Sequence, residues 1–500
     1  MLYIRMLFIM GVTLYASRVV LTTLGEVDFG IYNLVGGVVM MFTFLNASLS
    51  GATARFITYE LGRGKEANLQ KVFNACLIVH IIVALIVLVL AETVGVWLLR
   101  NKLVIPPDRE WAAYIVYQLS ILTTLVSIVQ IPYNALIIAY ERMNVFAYLG
   151  IADALLRLLS IYLLLVGGMD KLILYGILTF LVGMVIAFLY RFYCIRHFPQ
   201  TRFRFRWDKK ILWPIFTFSG WDLYANMSGM ARGQGVNILQ NMFFGPVINS
   251  ATGIANQVQG AVNAFADNFL TSVRPQIVKE YATGNYLRML NLVENAAKYS
   301  FILLLFVSLP LLIENRFILQ VWLKDVPDYT VAFCRLSLIG SLMLVIFRPI
   351  MFSIHATGRV KWMSLINGTI YLLVLPITYG LFKRNYSPVS PFVVLNIFLF
   401  FICGLFNLKI LKSMLSLFSI KTYLHKVIAR CFGIALFSTP FPVGIAFFME
   451  KGWVRFICVG LTAASMVALA SYLIGLGRGT RKKVNQRMRN KVKEIYAKIS

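Results

Sequence analysis

Apolar runs of about 20 residues, the length that crosses a bilayer core, recur along this chain from end to end. Their spacing predicts fourteen helical spans, near 4–24, 29–54, 72–99, 111–139, 145–167, 171–193, 211–241, 248–273, 296–314, 329–356, 362–382, 391–410, 428–449 and 453–476. The expected fold class is an all-α polytopic membrane protein. Some spans break the apolar pattern in an ordered way. Between Asn256 and Arg274, in NQVQGAVNAFADNFLTSVR, the residues Asn256, Gly260, Asn263, Asp267, Thr271 and Arg274 recur every three or four positions. That period stacks them on one helix face. A charge facing hydrocarbon costs at least ~2.5–3.5 kcal/mol, so the stripe is expected to line a bundle interior or a wet cavity. The plainer arrangement is a helix–helix seam with Arg274 snorkelling to the membrane edge. Similar stripes run through Ser48, Gly51, Ala52 and Arg55 in span 2, and through Asp222, Asn226, Gly229, Gly233 and Gln240 in span 7. Span 1 carries Arg18.

Landmarks repeat across the chain. Pro132 precedes Arg142 by ten residues, and Pro349 precedes Arg359 by ten, at an offset of 217. Arg55 and Arg274 close their spans at an offset of 219, and Gly25 and Gly245 precede theirs at 220. A nearly constant offset predicts a duplicated six-helix unit. An even number of spans leaves both copies in one orientation, so a two-fold axis along the membrane normal is expected, with the site between the copies. The predicted organisation is an N-terminal lobe over 1–195, a basic linker over 196–210, a second lobe over 211–412, two additional helices over 413–476 and a basic tail over 477–500.

Composition agrees with a membrane chain. Of 500 residues, 59% are hydrophobic, against about 45–50% in soluble domains. Mean hydropathy is +0.76. The net charge of +28 would suggest nucleic acid in a soluble protein. Here the basic residues crowd short connections and the tail, so membrane topology accounts for them and no nucleic-acid partner is expected. Arg63, Lys65 and Lys71 follow span 2, six basic residues from Arg196 to Lys210 follow span 6, and nine lie between Arg478 and Lys498. The alternate connections, such as TTLGEVDF and GGMDK, are poor in Lys and Arg, with Lys383 and Arg384 the exceptions. The positive-inside bias therefore predicts both termini in the cytoplasm.

The six cysteines form no CxxC or Cys/His cluster, so neither a metal site nor a disulfide framework is expected. No GxxxxGK[ST] loop is present. The four histidines, His80, His197, His355 and His425, have no nucleophile beside them in sequence. The expectation is a transporter without catalysis, metal or cofactor, with coupling to H+ or Na+ open.

The candidate site residues are the ionisable groups on the apolar background: Arg18, Arg55, Arg232, Arg274 and Arg348, with Asp222, Asn226, Asn263 and Asp267 as polar or coupling groups. Arginines outnumber carboxylates, and guanidinium forks match phosphate oxygens. Plainer roles compete. Asp153 and Arg157 are spaced to pair with each other. Arg348 sits beside Pro349, whose ring frees a carbonyl for it to satisfy. Arg232 lies among glycines and suits a water path.

The segments LYASRVVLTTLGEVDFGIYNLVGGVVMMFTFLNASLSGATARFITYELGRGK and PYNALIIAYERMNVFAYLGIAD resemble Wzx-type O-antigen and polysaccharide-export flippases of the multidrug/oligosaccharidyl-lipid/polysaccharide (MOP) superfamily. The resemblance implies two six-helix lobes in a V around a central cavity, plus two extra helices. It implies alternating-access flipping of an undecaprenyl-diphosphate-linked oligosaccharide across the bacterial inner membrane for O-antigen, lipopolysaccharide or capsule synthesis. The glycan lipid, membrane lipids and other polysaccharide-assembly proteins would be its partners. It further implies that Arg18, Arg55 and Arg274 hold the diphosphate. The alternative on the same fold is a cation-coupled multidrug exporter, with Asp222 and Asp267 as its binding pair. A membrane glycan polymerase or ligase is disfavoured by the short loops.

Overall fold

The computed structural model describes residues 5–9, 11–12, 15–16, 19–20, 23–25, 28, 31–32, 43–64, 66–101, 105–166, 168–202, 208–323, 326–475, 481 and 486. Among them the chain runs through α1 (Thr43–Gly62), α2 (Glu66–Leu90, continuing to Asn101), α3 (Glu110–Ala139), α4 (Met143–Val166) and α5 (Lys171–His197). It continues through α6 (Lys209–Phe244), α7 (Pro246–Ala282), α8 (Tyr286–Ile313) and a short α9 (Asn315–Leu323). The last elements are α10 (Thr330–Thr357), α11 (Lys361–Lys383), α12 (Ser390–Met414), α13 (Ile420–Phe448) and α14 (Trp453–Gly475).

Ten helices among the described residues are long and apolar enough to cross a membrane. The chain is a multi-pass membrane protein. Fourteen such spans were expected, and the difference has two sources. The predicted first and second spans are interrupted by residues outside the described ones, so neither is described as one continuous helix over its full predicted length. The predicted seventh and eighth are α6 and α7, helices of 36 and 37 residues. At about 1.5 Å per residue each exceeds the ~30 Å of a bilayer core. Length is ample, but the polar stripes lower their apolarity.

The serine and threonine hydroxyls of α3 are satisfied within their own helix. In α3, the hydroxyls of Ser120, Thr123, Thr124 and Ser127 donate to carbonyls four residues back at 2.7, 2.8, 2.9 and 2.9 Å. None of these hydroxyls is an unsatisfied group in hydrocarbon. The predicted Asp153–Arg157 pair forms within α4 at 3.1 Å. Helix α5 begins where the Asp170 carboxylate caps it, accepting from Leu172 N at 3.0 Å and Ile173 N at 3.1 Å.

The helices separate into two compact units. The first comprises residues 1–231, 271–289 and 352–369. In it α3 packs along α5 and α1, around buried Ile57, Phe73, Tyr133, Leu136, Ile137 and Cys194. Gly176 lets α5 approach α3, since a Cβ there would lie 3.2 Å from Val116 Cγ2. Lipid tails are as apolar as these side chains, so cohesion comes from dense packing rather than from leaving water. The second unit comprises 232–270, 290–351 and 370–500. Its core includes Ile248, Ala251 and Ala255 of α7 against Leu319 of α9 and Phe333 of α10. Tyr423 of α13 is fully buried and donates to Ile346 O at 2.6 Å.

Left-handed residues recur at the offsets seen in the sequence. Gly25 and Gly245, at the expected offset, have φ of 78° and 79°. Gly64 and Gly284, also 220 residues apart, have φ of 66° and 78°. In both, the amide bonds the carbonyl three residues back at 3.1 Å. Glu141 and Gly358, 217 apart like the two prolines, have φ of 58° and 76°. Gly64, Glu141, Gly245, Gly284 and Gly358 lie one or two positions past a helix end, where a left-handed residue lets the chain reverse. Glycine adopts that conformation freely, whereas Glu141 holds it at a cost of about 1 kcal/mol.

Candidate functional site

The candidate residues fall into two sites, each inside one unit. Arg18 lies outside the described residues.

The site in the second unit is a cavity of about 280 Å³. Helix α7 supplies Thr252, Asn256, Gln259 and Asn263 from one face, following the period seen in the sequence. Helix α6 supplies Arg232 and Asn237, α10 supplies Ser337, Ser341 and Arg348, α11 supplies Tyr371, and α12 supplies Asn396. Gln259 crosses between helices, donating to Ser337 O at 3.0 Å and to Ser341 Oγ at 2.9 Å. Asn396 donates to Leu336 O at 3.0 Å. These bonds fix the walls while leaving amide and hydroxyl groups at the cavity surface.

Charge at this cavity is positive. The Arg232 guanidinium lies 5.5 Å from the Tyr371 ring centroid, a cation–π contact. Its Nε is buried without a hydrogen-bond partner. An unsatisfied buried donor is costly, and an acceptor on a bound molecule would relieve it. Arg348 does not turn to a carbonyl beside Pro349, the role its sequence neighbour suggested. It forms an ion pair with Asp267 on α7, 81 residues away. The Asp267 carboxylate is half exposed, so solvent screens the pair. Among the described residues, no carboxylate lines the cavity itself.

The site in the first unit gathers Arg55, Asp222, Asn226 and Arg274. Arg55 is only 8% exposed. Its Nη2 donates to Ala356 O at 3.1 Å, and its guanidinium lies 4.6 Å from the Phe56 ring and 4.7 Å from Tyr59. Arg274 donates to Gly51 O at 3.3 Å and lies over Phe352. Asp222, 7% exposed, accepts from Asn226 Nδ2 at 3.4 Å and faces His355 Nε2 at 3.6 Å. Asp222 Oδ2 and Arg274 Nη2 both approach Gly51, where a Cβ would lie 3.3 and 3.4 Å from them. Absence of a side chain at Gly51 leaves room for both groups.

Sequence reasoning found the arginines and the α7 stripe. It missed His355, which looked isolated because its partner is 133 positions earlier, and it missed Gln259, Tyr371 and Asn396. Gln259 was findable: it precedes Asn263 by four residues, on the same face. Tyr371 and Asn396 carry no signal in their own helices.

Helix order, the duplicated turns and the long polar pair α6 and α7 invite comparison with known folds. The structure matches a crystal structure of MATE in the straight conformation at a TM-score of 0.70 and 12% identity, over 83% of this chain and 95% of that one. The fold is MATE-like. A MOP superfamily transporter from Pyrococcus furiosus, described by a reverse polarity of its binding pocket that suggests a different function, shares the MATE-like fold at a TM-score of 0.66 and 12% identity, covering 83% and 95% of the two chains. The MATE multidrug transporter DinF-BH matches at 0.63 and 15%, covering 82% and 94%. No protein-family model matches the sequence, and no curated protein does. At these identities the likeness concerns the MATE-like fold, and Wzx-type specificity finds no support in it.

Proposed function

We propose that this chain is a membrane transporter that exports small molecules rich in hydrogen-bond acceptors, neutral or anionic. The observation that carries this reading is the cavity of the second unit. Among the described residues, five side-chain amides, four hydroxyls and two guanidiniums line it, with no carboxylate. Of the two expectations from sequence, small-molecule export has the better support, because the fold is shared with multidrug transporters. A cationic drug class held by Asp222 and Asp267 fits the geometry less well. Asp267 is paired with Arg348, and Asp222 faces Arg274 across Gly51. Each aspartate already has a guanidinium to neutralise. Coupling to an H+ or Na+ gradient belongs to this proposal as its driving force.

The test is transport in proteoliposomes with anionic, neutral and cationic fluorescent solutes, under an imposed H+ or Na+ gradient. The expected result is movement of the anionic or neutral solute, reduced about tenfold or more in Arg348→Ala, as the loss of a charge-assisted contact requires. Movement of the cationic solute alone, unchanged in Arg232→Ala and Arg348→Ala, would sink the reading.

A second reading is flipping of an undecaprenyl-diphosphate-linked oligosaccharide. Its support is the pair of guanidiniums of the first unit. Arg55 faces a carbonyl and two rings, so a phosphate oxygen would be a stronger partner than those it has. This reading predicts that Arg55→Ala and Arg274→Ala abolish surface glycan while the protein still reaches the membrane. Normal glycan in both variants refutes it.

A further inference from the structure

A second cavity in the second unit lies at the ends of its apolar helices, apart from the residues used above. Its volume is about 730 Å³. Its walls come from the break between α8 and α9, from the start of α10, and from the turn between α13 and α14. Those positions adjoin the ends of four helices long and apolar enough to span, at Ile313, Thr330, Phe448 and Trp453. The cavity therefore sits at the level where a bilayer meets water.

Four cations, Arg316, Arg335, Lys451 and Arg455, line it with two carboxylates, Glu314 and Asp328. Glu314 is 1% exposed and pairs with Arg455 through Oε2 at 2.7 Å. The other carboxylate oxygen, Oε1, is buried with no hydrogen-bond partner, and so is Arg455 Nε. One orphan is an acceptor and the other a donor. A ligand that relieves both carries a donor and an acceptor together, and the four surrounding cations favour an anionic acceptor. Arg316 and Lys451 are exposed and surround this pair with further positive charge.

The rim is apolar and aromatic. Phe447 and Phe448 are 82% and 85% exposed, and Trp322, Trp453 and Val454 are also exposed. Phe317 of the cavity wall packs on Trp453 with ring centroids 5.5 Å apart. Exposed tryptophans beside helix ends mark the interfacial belt, and acyl chains would lie against the phenylalanines.

We propose that this cavity binds the headgroup of an amine-bearing phospholipid of the phosphatidylethanolamine type. The ammonium donates to Glu314 Oε1, and the phosphate lies among Arg455, Arg316, Arg335 and Lys451. Guanidinium and ammonium groups are the side chains that hold phosphate. A choline headgroup has the same charges but no N–H, so it satisfies the phosphate side alone.

The test is lipid retention by the purified full-length protein, read by native mass spectrometry after incubation with equal mole fractions of phosphatidylethanolamine, phosphatidylcholine and phosphatidylglycerol. The ethanolamine lipid should be retained about tenfold over the choline lipid, the weight of one hydrogen bond to a charged group. Glu314→Gln should bring that ratio near one. Arg316→Ala combined with Lys451→Ala, both at exposed positions, should lower retention of all three lipids. Equal retention of the ethanolamine and choline lipids by the native protein overturns the proposal. So does preference for phosphatidylglycerol, or displacement of the lipid by soluble phosphoethanolamine at equal concentration. Should Glu314→Gln fail to fold, unchanged retention in the Arg316/Lys451 variant overturns it as well.

Discussion

Replacing Gly358 by alanine tests how the buried guanidinium of Arg55 is held. Gly358 has φ of 76° and ends α10, and a Cβ there would lie 2.6 Å from Arg55 Nη2. Two costs follow from the structure. The left-handed backbone costs an alanine about 1–2 kcal/mol. The Cβ also displaces the guanidinium from Ala356 O, whose 3.1 Å bond is a charged hydrogen bond worth about 1.5–3 kcal/mol. The expected loss is thus about 2.5–5 kcal/mol. Gly284 provides the control. Its φ is 78°, but nothing lies within 4 Å of its Cβ position. Gly284→Ala should therefore lose only the backbone share. The assay is denaturant unfolding of both variants in mixed micelles, with a double-mutant cycle against Arg55→Ala. In the Arg55→Ala background, Gly358→Ala should lose no more than Gly284→Ala. Equal losses for the two glycine variants, or no coupling to Arg55, would refute the reasoning.

Asp222→Asn removes the carboxylate facing part-buried Arg274 and should destabilise by about 2 kcal/mol, with a smaller loss in the Asp222→Asn/Arg274→Gln double variant, measured by the same titration. The ion pair of Asp267 with Arg348 is partly exposed, so a double-mutant cycle there should give a coupling of no more than about 1 kcal/mol, falling with added salt. At the start of α5, burial pulls the Asp170 carboxyl upward, but the N–H groups of Ile173 and Leu172 and the Arg109 guanidinium outweigh it and hold it below the usual carboxylate range. Its contribution is present above the unfolded value of ~3.9 and is lost as pH falls through the lower folded value. The stability gap between the native protein and Asp170→Asn should accordingly shrink on acidification, which a pH series of unfolding curves checks. Asp170→Ala should cost about 1 kcal/mol more through loss of the cap.

The membrane class of the chain was legible in its sequence because apolar length is a local property. The α7 stripe was legible for the same reason: a period of three to four residues fixes which side chains share a face, and Asn256 and Asn263 do line one cavity. The Asp153–Arg157 pair needed only its spacing. The left-handed turns could be read from glycines, since helix-ending turns constrain residue type, although Glu141 shows a non-glycine holding such a turn.

Which helix a polar face meets was decided by tertiary packing alone. Arg348 finds Asp267 across 81 residues, and Arg55 finds the Ala356 carbonyl across 301. His355 meets Asp222 because α10 and α6 bring them to the same place, not because either sequence context announces it. A helical period specifies direction around one axis and carries no information about the neighbour in that direction. The same limit hid the cavity behind Glu314 and Arg455, which lie 141 residues apart and meet at one end of the second unit.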